Sequence, residues 1–96
     1  MSPINLKKLK ELRKKLDKLD DSFMKLIKRR SHLVEQVLSL KENKSEIVDK
    51  KRINIILKTI KKKSIKNKID PKITNRIWKN MIWSYIDFER RKFNKK

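Results

Sequence analysis

Residues 4–42 read INLKKLKELRKKLDKLDDSFMKLIKRRSHLVEQVLSLKE, and this stretch decides the fold. Its apolar side chains recur at steps of three and four residues, from Leu6 through Leu16 and Phe23 to Leu38. This is the period of an amphipathic α-helix. Because no Gly or Pro interrupts the stretch, we expect one helix of about 55 Å. This helix is longer than a small domain needs. Its length favours packing against a second copy of the chain.

Two shorter helices are predicted after a break at residues 42–48, where Asn43 and Ser45 favour a turn. Asp49 can cap the second helix, whose apolar face consists of Ile53, Ile56, Leu57 and Ile60. We expect residues 61–68 to be a fraying helix end and a loop. Asp70-Pro71 is a typical helix start, and an amphipathic third helix follows, with residues 94–96 as a frayed tail.

The amino-acid composition limits the kinds of site and the location that the chain can have. A chain of 96 residues suits one domain, here residues 1–96. The absence of Cys excludes disulfides and thiolate metal sites, and the single His32 has no second imidazole for a zinc pair. No apolar run is long enough to span a membrane. The first residues contain no apolar signal-peptide core, so we expect a cytoplasmic protein.

The net charge of +19 first suggests a nucleic-acid partner. However, the chain has neither Gly nor Ala and is crowded with Lys, Ile and Asn, whose codons are AT-rich. Genome composition therefore accounts for most lysines as replacements at tolerant surface positions. Charges that interrupt apolar stripes are more informative than the total charge.

Such charges occur on the first helix. Arg30, Val34, Val37 and Lys41 follow one another at steps of four, three and four, so they share one face. Arg30 and Lys41 then lie only about 20° apart around the axis. Either they bracket a pocket for a small anion, or both extend to water from the edge of the stripe. Arg13 lies about 100° away from Arg30, and it could serve the same site only from a partner helix.

The second and third helices carry further polar candidates. Asp49 and Arg52 are three residues apart and could pair. Glu89 continues an apolar stripe formed by Trp78, Ile82 and Tyr85. By pattern alone, a salt bridge to one of the lysines is the better interpretation of Glu89. We interpret the Trp and Phe residues as core side chains rather than as platforms for stacking bases.

The ordered set of motifs resembles the small helical chorismate mutases. The motifs are Leu12-Arg13, Leu19-Asp20, Arg29-Arg30, Leu33-Val34, Lys41, Asp49-Lys50-Lys51-Arg52, Asp70-Pro71, Ile77-Trp78, Met81-Ile82 and Glu89. Each is weak alone, but the set extends over nearly the whole chain, about residues 6–93. The resemblance implies an all-α fold of three helices with a very long first helix, assembled as an intertwined helical homodimer with two equivalent sites.

The resemblance also implies residue roles. Arg13 of the partner and Arg30 would each bind one substrate carboxylate, while Lys41 would donate to the ether oxygen. Arg52 would support a carboxylate, Asp49 would bind the hydroxyl end, and Glu89 would face the ether oxygen. Further substrate contacts would come from Val37, Ile53, Ile82 and Tyr85. The implied reaction converts chorismate to prephenate, on the shikimate pathway to the aromatic amino acids, and needs no metal or cofactor.

The physical chemistry of this reaction suits the residue types. The rearrangement occurs within one molecule, without a nucleophile or a proton transfer. The enzyme must hold the compact conformer and stabilise negative charge that grows on the ether oxygen. Arginine forks fit carboxylates, and a lysine point charge fits a single oxygen. Glu89 can donate to that oxygen only when protonated, so we expect activity to fall as the pH rises and the proton is lost.

Three alternatives remain. Many mutases have Glu after the second-helix arginine, where this chain has Ile53, and bacterial mutases often have Ser where this chain has Tyr85, followed by Ile86. Both features are similar to isochorismate-pyruvate lyases of salicylate synthesis. A basic helical nucleic-acid binder would use the +19 charge directly, and a structural coiled coil would explain the long helix. Neither of the last two explains Arg30, Lys41 and Glu89 on apolar stripes, so nucleic acid is an unlikely partner.

Overall fold

A computed structural model describes residues 1–94, and these contain three α-helices and no strand. Helix α1 is Pro3–Ser39, α2 is Lys50–Lys66 and α3 is Pro71–Lys92, and one turn of 3₁₀ helix, Lys44–Glu46, lies between α1 and α2. The predicted all-α class with a very long first helix is confirmed. Of the predicted tail, residues 95–96 lie outside the described part. The chain forms two compact units, residues 1–33 and 34–96, so a single domain over 1–96 stays a prediction.

Helix α1 begins after Ser2, whose Oγ accepts a hydrogen bond from the Asn5 backbone N–H at 3.2 Å. It ends at Ser39, so the prediction that the helix continues to Glu42 is wrong. The N–H groups of Leu40 and Lys41 bond to carbonyls only three residues back, which tightens and ends the helix. Lys41 therefore lies just beyond the helix and not on the helical face that its spacing predicted.

The first unit, residues 1–33, is a helix whose apolar side chains are not buried within one copy of the chain. Eight of them expose 45–66% of their surface: Leu6, Leu12, Leu16, Leu19, Phe23, Met24, Leu26 and Ile27. This apolar stripe has the period of a helix that packs against another helix.

In the second unit, residues 34–96, α2 packs along α3, and the end of α1 and the segment before α2 complete the core. Four apolar side chains are buried there: Leu38, Ile47, Ile82 and Ile86. Val48, Ile53, Ile56, Leu57 and Phe93 pack against them and are half-buried. Farther along, the buried hydroxyls of Ser64 and Thr74 hydrogen bond at 2.6 Å, which joins the end of α2 to the start of α3.

Helix α2 continues to Lys66, so the prediction of a fraying end and loop at residues 61–68 is wrong for residues 61–66. Buried Ser64 stabilises the last turn through its bond to Thr74. The helix then ends where the N–H groups of Lys68 and Ile69 bond to the Ile65 and Ser64 carbonyls, which is a Schellman motif. Its left-handed residue is Lys68, with φ 57°, where many helices have Gly.

Because Lys68 holds a left-handed backbone conformation, replacing it with glycine should stabilise the fold. We expect Lys68→Gly to raise the free energy of unfolding by about 0.5–1 kcal/mol, since a side chain in this region costs about 1–2 kcal/mol, which the greater freedom of unfolded glycine partly cancels. Lys62→Gly, within the same helix, should lower it by about 1 kcal/mol. Urea unfolding of both variants checks this, and destabilisation by both would contradict it.

Not every aromatic or apolar side chain predicted for the core is buried. Trp78, Phe88 and Phe93 are half-buried, but Trp83 exposes 51% and Phe23 59% of its surface. Other predicted apolar positions on α3 and α1 are also exposed, namely Ile73, Ile77 and Val37. The apolar sector of α3 is wider than the single helix beside it can cover. Within residues 1–94, no helix has an apolar stretch long enough to cross a lipid bilayer.

Candidate active site

A lysine–glutamate ion pair lies at the centre of the candidate site. The Nζ atom of Lys41 is 2.8 Å from Oε1 of Glu89, and the two side chains expose only 17% and 8% of their surface. Lys41 follows α1, and Glu89 lies in the last turn of α3. The structure thus brings together two candidates that are 48 residues apart in sequence, and the salt bridge predicted for Glu89 is made with Lys41.

The backbone on both sides holds Lys41 in place. Leu38, three residues before it, is buried in the core of the second unit. After it, the Glu46 carboxylate accepts hydrogen bonds from the N–H groups of Glu42 and Asn43, at 2.6 and 2.8 Å. Ile47 is then buried in the same core. The segment that carries Lys41 is therefore anchored at both ends.

Helical periodicity places Glu89 next to the core. Ile82, Ile86 and Glu89 follow at steps of four and three residues, so they share one face of α3. All three are buried. The apolar stripe thus places the Glu89 carboxylate at the edge of the core, on the face that its spacing predicted.

A buried ion pair is weak evidence of a role in stability. Desolvation of two charges costs several kcal/mol per ion, and an apolar pair of similar size is often as stable. The Lys41 ammonium group carries three protons, and the structure assigns one of them to Glu89. The ammonium group can therefore donate to a bound ligand while Glu89 keeps it oriented.

A wide surface cavity of about 650 Å³, largely open to solvent, lies beside Lys41. This volume lies in the range of small-molecule sites. Its lining residues are Lys41, Ser45, Glu46, Val48, Asp49, Lys50 and Lys51. Lys41 and Asp49, both predicted substrate contacts, thus lie at one cavity, which has three lysines on its walls.

The start of α2 has a helix cap where the spacing of Asp49 and Arg52 predicted a side-chain pair. The Asp49 carboxylate caps the helix by accepting from the backbone N–H of Arg52 at 3.0 Å, and no side-chain ion pair between the two occurs in the described residues. The predicted cap is confirmed. The Arg52 side chain is exposed, and Arg52 directly follows Lys51, which lines the cavity.

The remaining candidates divide between the core and the first unit. Ile82 is buried, and Ile53 and Tyr85 are half-buried. The Tyr85 ring meets that of Phe88 edge-to-face, with centroids 6.5 Å apart. Val37, predicted on a buried stripe, exposes 52% of its surface. In the first unit, Arg30 is half-buried and Arg13 exposed on α1, and their part in the site stays a prediction.

Sequence reasoning missed the segment that shapes the cavity. Glu46, Ser45 and Val48 line it, and Glu46 also fixes the turn before α2. The signal was present in the sequence, because Asn43 followed three residues later by Glu46 is the pattern of a capping box.

Comparison with known proteins identifies the family. The chain matches the family model described as chorismate mutase type II over residues 12–90. The match includes Arg13, Arg30, Lys41, Asp49 and Glu89. No match was found among curated proteins or among solved structures. Since the match covers most of a chain that is all-helical, as the resemblance implied, the protein belongs to the chorismate mutase type II family.

Proposed function

We propose that this chain converts chorismate to prephenate at the site around Lys41 and Glu89. The observation that carries the proposal is their largely buried ion pair in a chain of the chorismate mutase type II family. Lys41, one member of the pair, lines an open cavity of ligand size. This reaction would supply the aromatic amino acid pathway, and it would make the protein an isomerase.

Lys41 is the group that we assign to the ether oxygen. During the rearrangement the ether C–O bond breaks while a new C–C bond forms, and negative charge grows on the oxygen. An ammonium group that is already oriented stabilises this charge more in the transition state than in the ground state. Glu89, at 2.8 Å from Nζ, supplies that orientation. No nucleophile takes part in the step.

A homodimer would complete the site. We assign one substrate carboxylate to Arg30 and the other to Arg13 of a second copy. The support is the apolar stripe of the first unit, which stays at least 45% exposed in one copy of the chain. A second copy packed along this stripe would bury it and would carry Arg13 to a site other than its own.

The pH dependence of activity distinguishes two roles for Glu89. As the carboxylate that orients Lys41, Glu89 acts in its ionised form; as a donor to the ether oxygen, it acts only in its protonated form, and activity should then fall as the pH rises. Glu89→Gln keeps a donor at every pH, and its kcat/KM should stay constant over the range where the wild type declines. A wild-type kcat/KM that stays constant from acid to neutral pH, or the same pH dependence in both proteins, would exclude Glu89 as a donor to the ether oxygen.

The substrate preference is tested with two compounds in parallel. We expect purified protein to consume chorismate, followed by its absorbance, and to release prephenate as the separated product. Isochorismate should react far more slowly. Ile53 and Tyr85 favour the alternative, an isochorismate-pyruvate lyase. Salicylate and pyruvate from isochorismate, with slow turnover of chorismate, would establish that alternative instead.

A further inference from the structure

The positive charge is concentrated on α2 and the loop after it. Residues 50–69 contain nine Lys or Arg side chains and no acidic side chain, so this fifth of the chain carries nearly half of the net charge of +19. In α1, by contrast, eleven cations alternate with five acidic residues. A uniform excess of lysine from genome composition does not explain an acid-free segment.

The outer face of α2 presents four of these lysines in one line. Lys51, Lys58, Lys62 and Lys66 fall within about 80° around the helix axis and extend over about 22 Å along it. All four are exposed. The line is centred opposite the side that packs toward α3, with Lys58 nearest to α3, and neither ion pair found in residues 1–94 involves α2.

A groove adds cations beside this line. It has a volume of about 370 Å³ and is lined by Leu57, Lys58, Lys61, Pro71, Lys72 and Asn75. Three of its six lining residues are lysines, and none is acidic. We define the α2 cationic face as Lys51, Lys58, Lys61, Lys62, Lys66 and Lys72.

The composition of this face favours a phosphate backbone over other polyanions. Protein interfaces are depleted in lysine and rely on aromatic or arginine anchors, and the face has neither. Helices that lie on membranes insert a continuous apolar side, whereas most apolar side chains of α2 face α3, and only Ile55 and Ile65 are exposed among its large apolar residues. Duplex nucleic acid places one charge per about 1.7 Å, so the 22 Å line matches about a dozen phosphate charges.

We infer that the α2 cationic face binds the phosphate backbone of duplex nucleic acid, without reading its sequence. The sequence made nucleic acid an unlikely partner because an anion site explained the charges on apolar stripes. The α2 cationic face lies outside those stripes, and its binding would accompany the proposed enzyme activity rather than replace it. Lysine contacts to phosphate supply affinity but carry no base information.

The test compares two variants of equal charge in the full-length protein. One carries Lys58→Gln, Lys62→Gln and Lys66→Gln, and the control carries Lys7→Gln, Lys18→Gln and Lys25→Gln at exposed positions of α1. Affinity for a labelled, mixed-sequence DNA duplex is measured from about 50 to 200 mM salt. The α2 variant should lose at least tenfold in affinity, and its slope of log K against log salt should fall by about 2–3 units. The control should stay within about threefold of the wild type.

Other results would overturn the inference. Equal losses in the two variants would show that the total charge binds DNA and not this face. Tighter binding to vesicles of acidic lipid or to polyglutamate than to the duplex would assign the face to another partner. Absence of measurable duplex binding at 150 mM salt would also contradict it. Circular dichroism verifies folding, and because binding is measured without substrate, the result does not depend on the proposed enzyme activity.

Discussion

Replacing Lys41 with methionine is expected to lower kcat/KM for chorismate by about 10²–10³-fold, the usual effect of losing one preplaced donor to a developing oxyanion. Methionine keeps the length of the side chain and removes the charge. KM should change less than kcat, because the donor acts mainly on charge that appears in the transition state. The measurement is the initial rate of chorismate loss over a range of substrate concentrations.

Controls separate this chemical effect from unfolding. Lys41→Met alone leaves Glu89 as a buried unpaired carboxylate, which destabilises a protein by about 3–5 kcal/mol. The double variant Lys41→Met/Glu89→Met removes both charges, so it should fold nearly as well as the wild type and remain inactive. Lys44→Met, at an exposed lysine three residues away, should retain activity. A folded double variant with wild-type kcat/KM would remove the pair from the mechanism.

Mixing two inactive variants is expected to restore activity if Arg13 crosses the dimer interface. Arg13→Ala and Lys41→Ala should each lose at least about 10²-fold in kcat/KM. In a heterodimer of the two, one site combines the intact Lys41 of the first subunit with the intact Arg13 of the second. After random exchange, half of the dimers are mixed, and roughly a quarter of wild-type activity should return.

The matched control for this experiment is a mixture of Arg30→Ala and Lys41→Ala. We assign both residues to one subunit's part of the site, so neither site of that heterodimer is intact, and no activity should return. Failure of the first mixture to recover, while light scattering shows that heterodimers form, would place Arg13 outside the shared site. A monomer with full activity would contradict the dimeric site itself.

The features that could be predicted from the sequence are those that local chemistry decides. The period of the apolar side chains predicted three helices, and both caps predicted from Asp residues are present, since Asp49 and Asp70 accept hydrogen bonds from the first turns of α2 and α3. The spacing also placed Glu89 on the apolar stripe of α3, next to the core, where the structure has it. In each case the deciding feature is local, either a step of three or four residues along a helix or a cap within three residues of its partner.

The predictions that proved wrong depend on side-chain contacts that the apolar period does not show, or on unusual backbone. Helix α1 stops at Ser39 because Glu46 takes up the next free N–H groups. Helix α2 persists to Lys66 because Ser64 meets Thr74 and Lys68 adopts a left-handed conformation without being Gly. The pairing of Lys41 with Glu89 is also a tertiary contact, so the sequence could predict two candidates but not their 2.8 Å separation.

The proposed site is best tested by a crystal structure with a stable cyclic dicarboxylate ether that mimics the compact conformer of chorismate. We predict the ether oxygen within hydrogen-bond distance of Lys41 Nζ, with Glu89 beside it. Each carboxylate should meet an arginine, Arg30 of one subunit and Arg13 of the other. A ligand bound elsewhere, or one bound here with Lys41 turned away from the ether oxygen, would contradict the proposed site and mechanism.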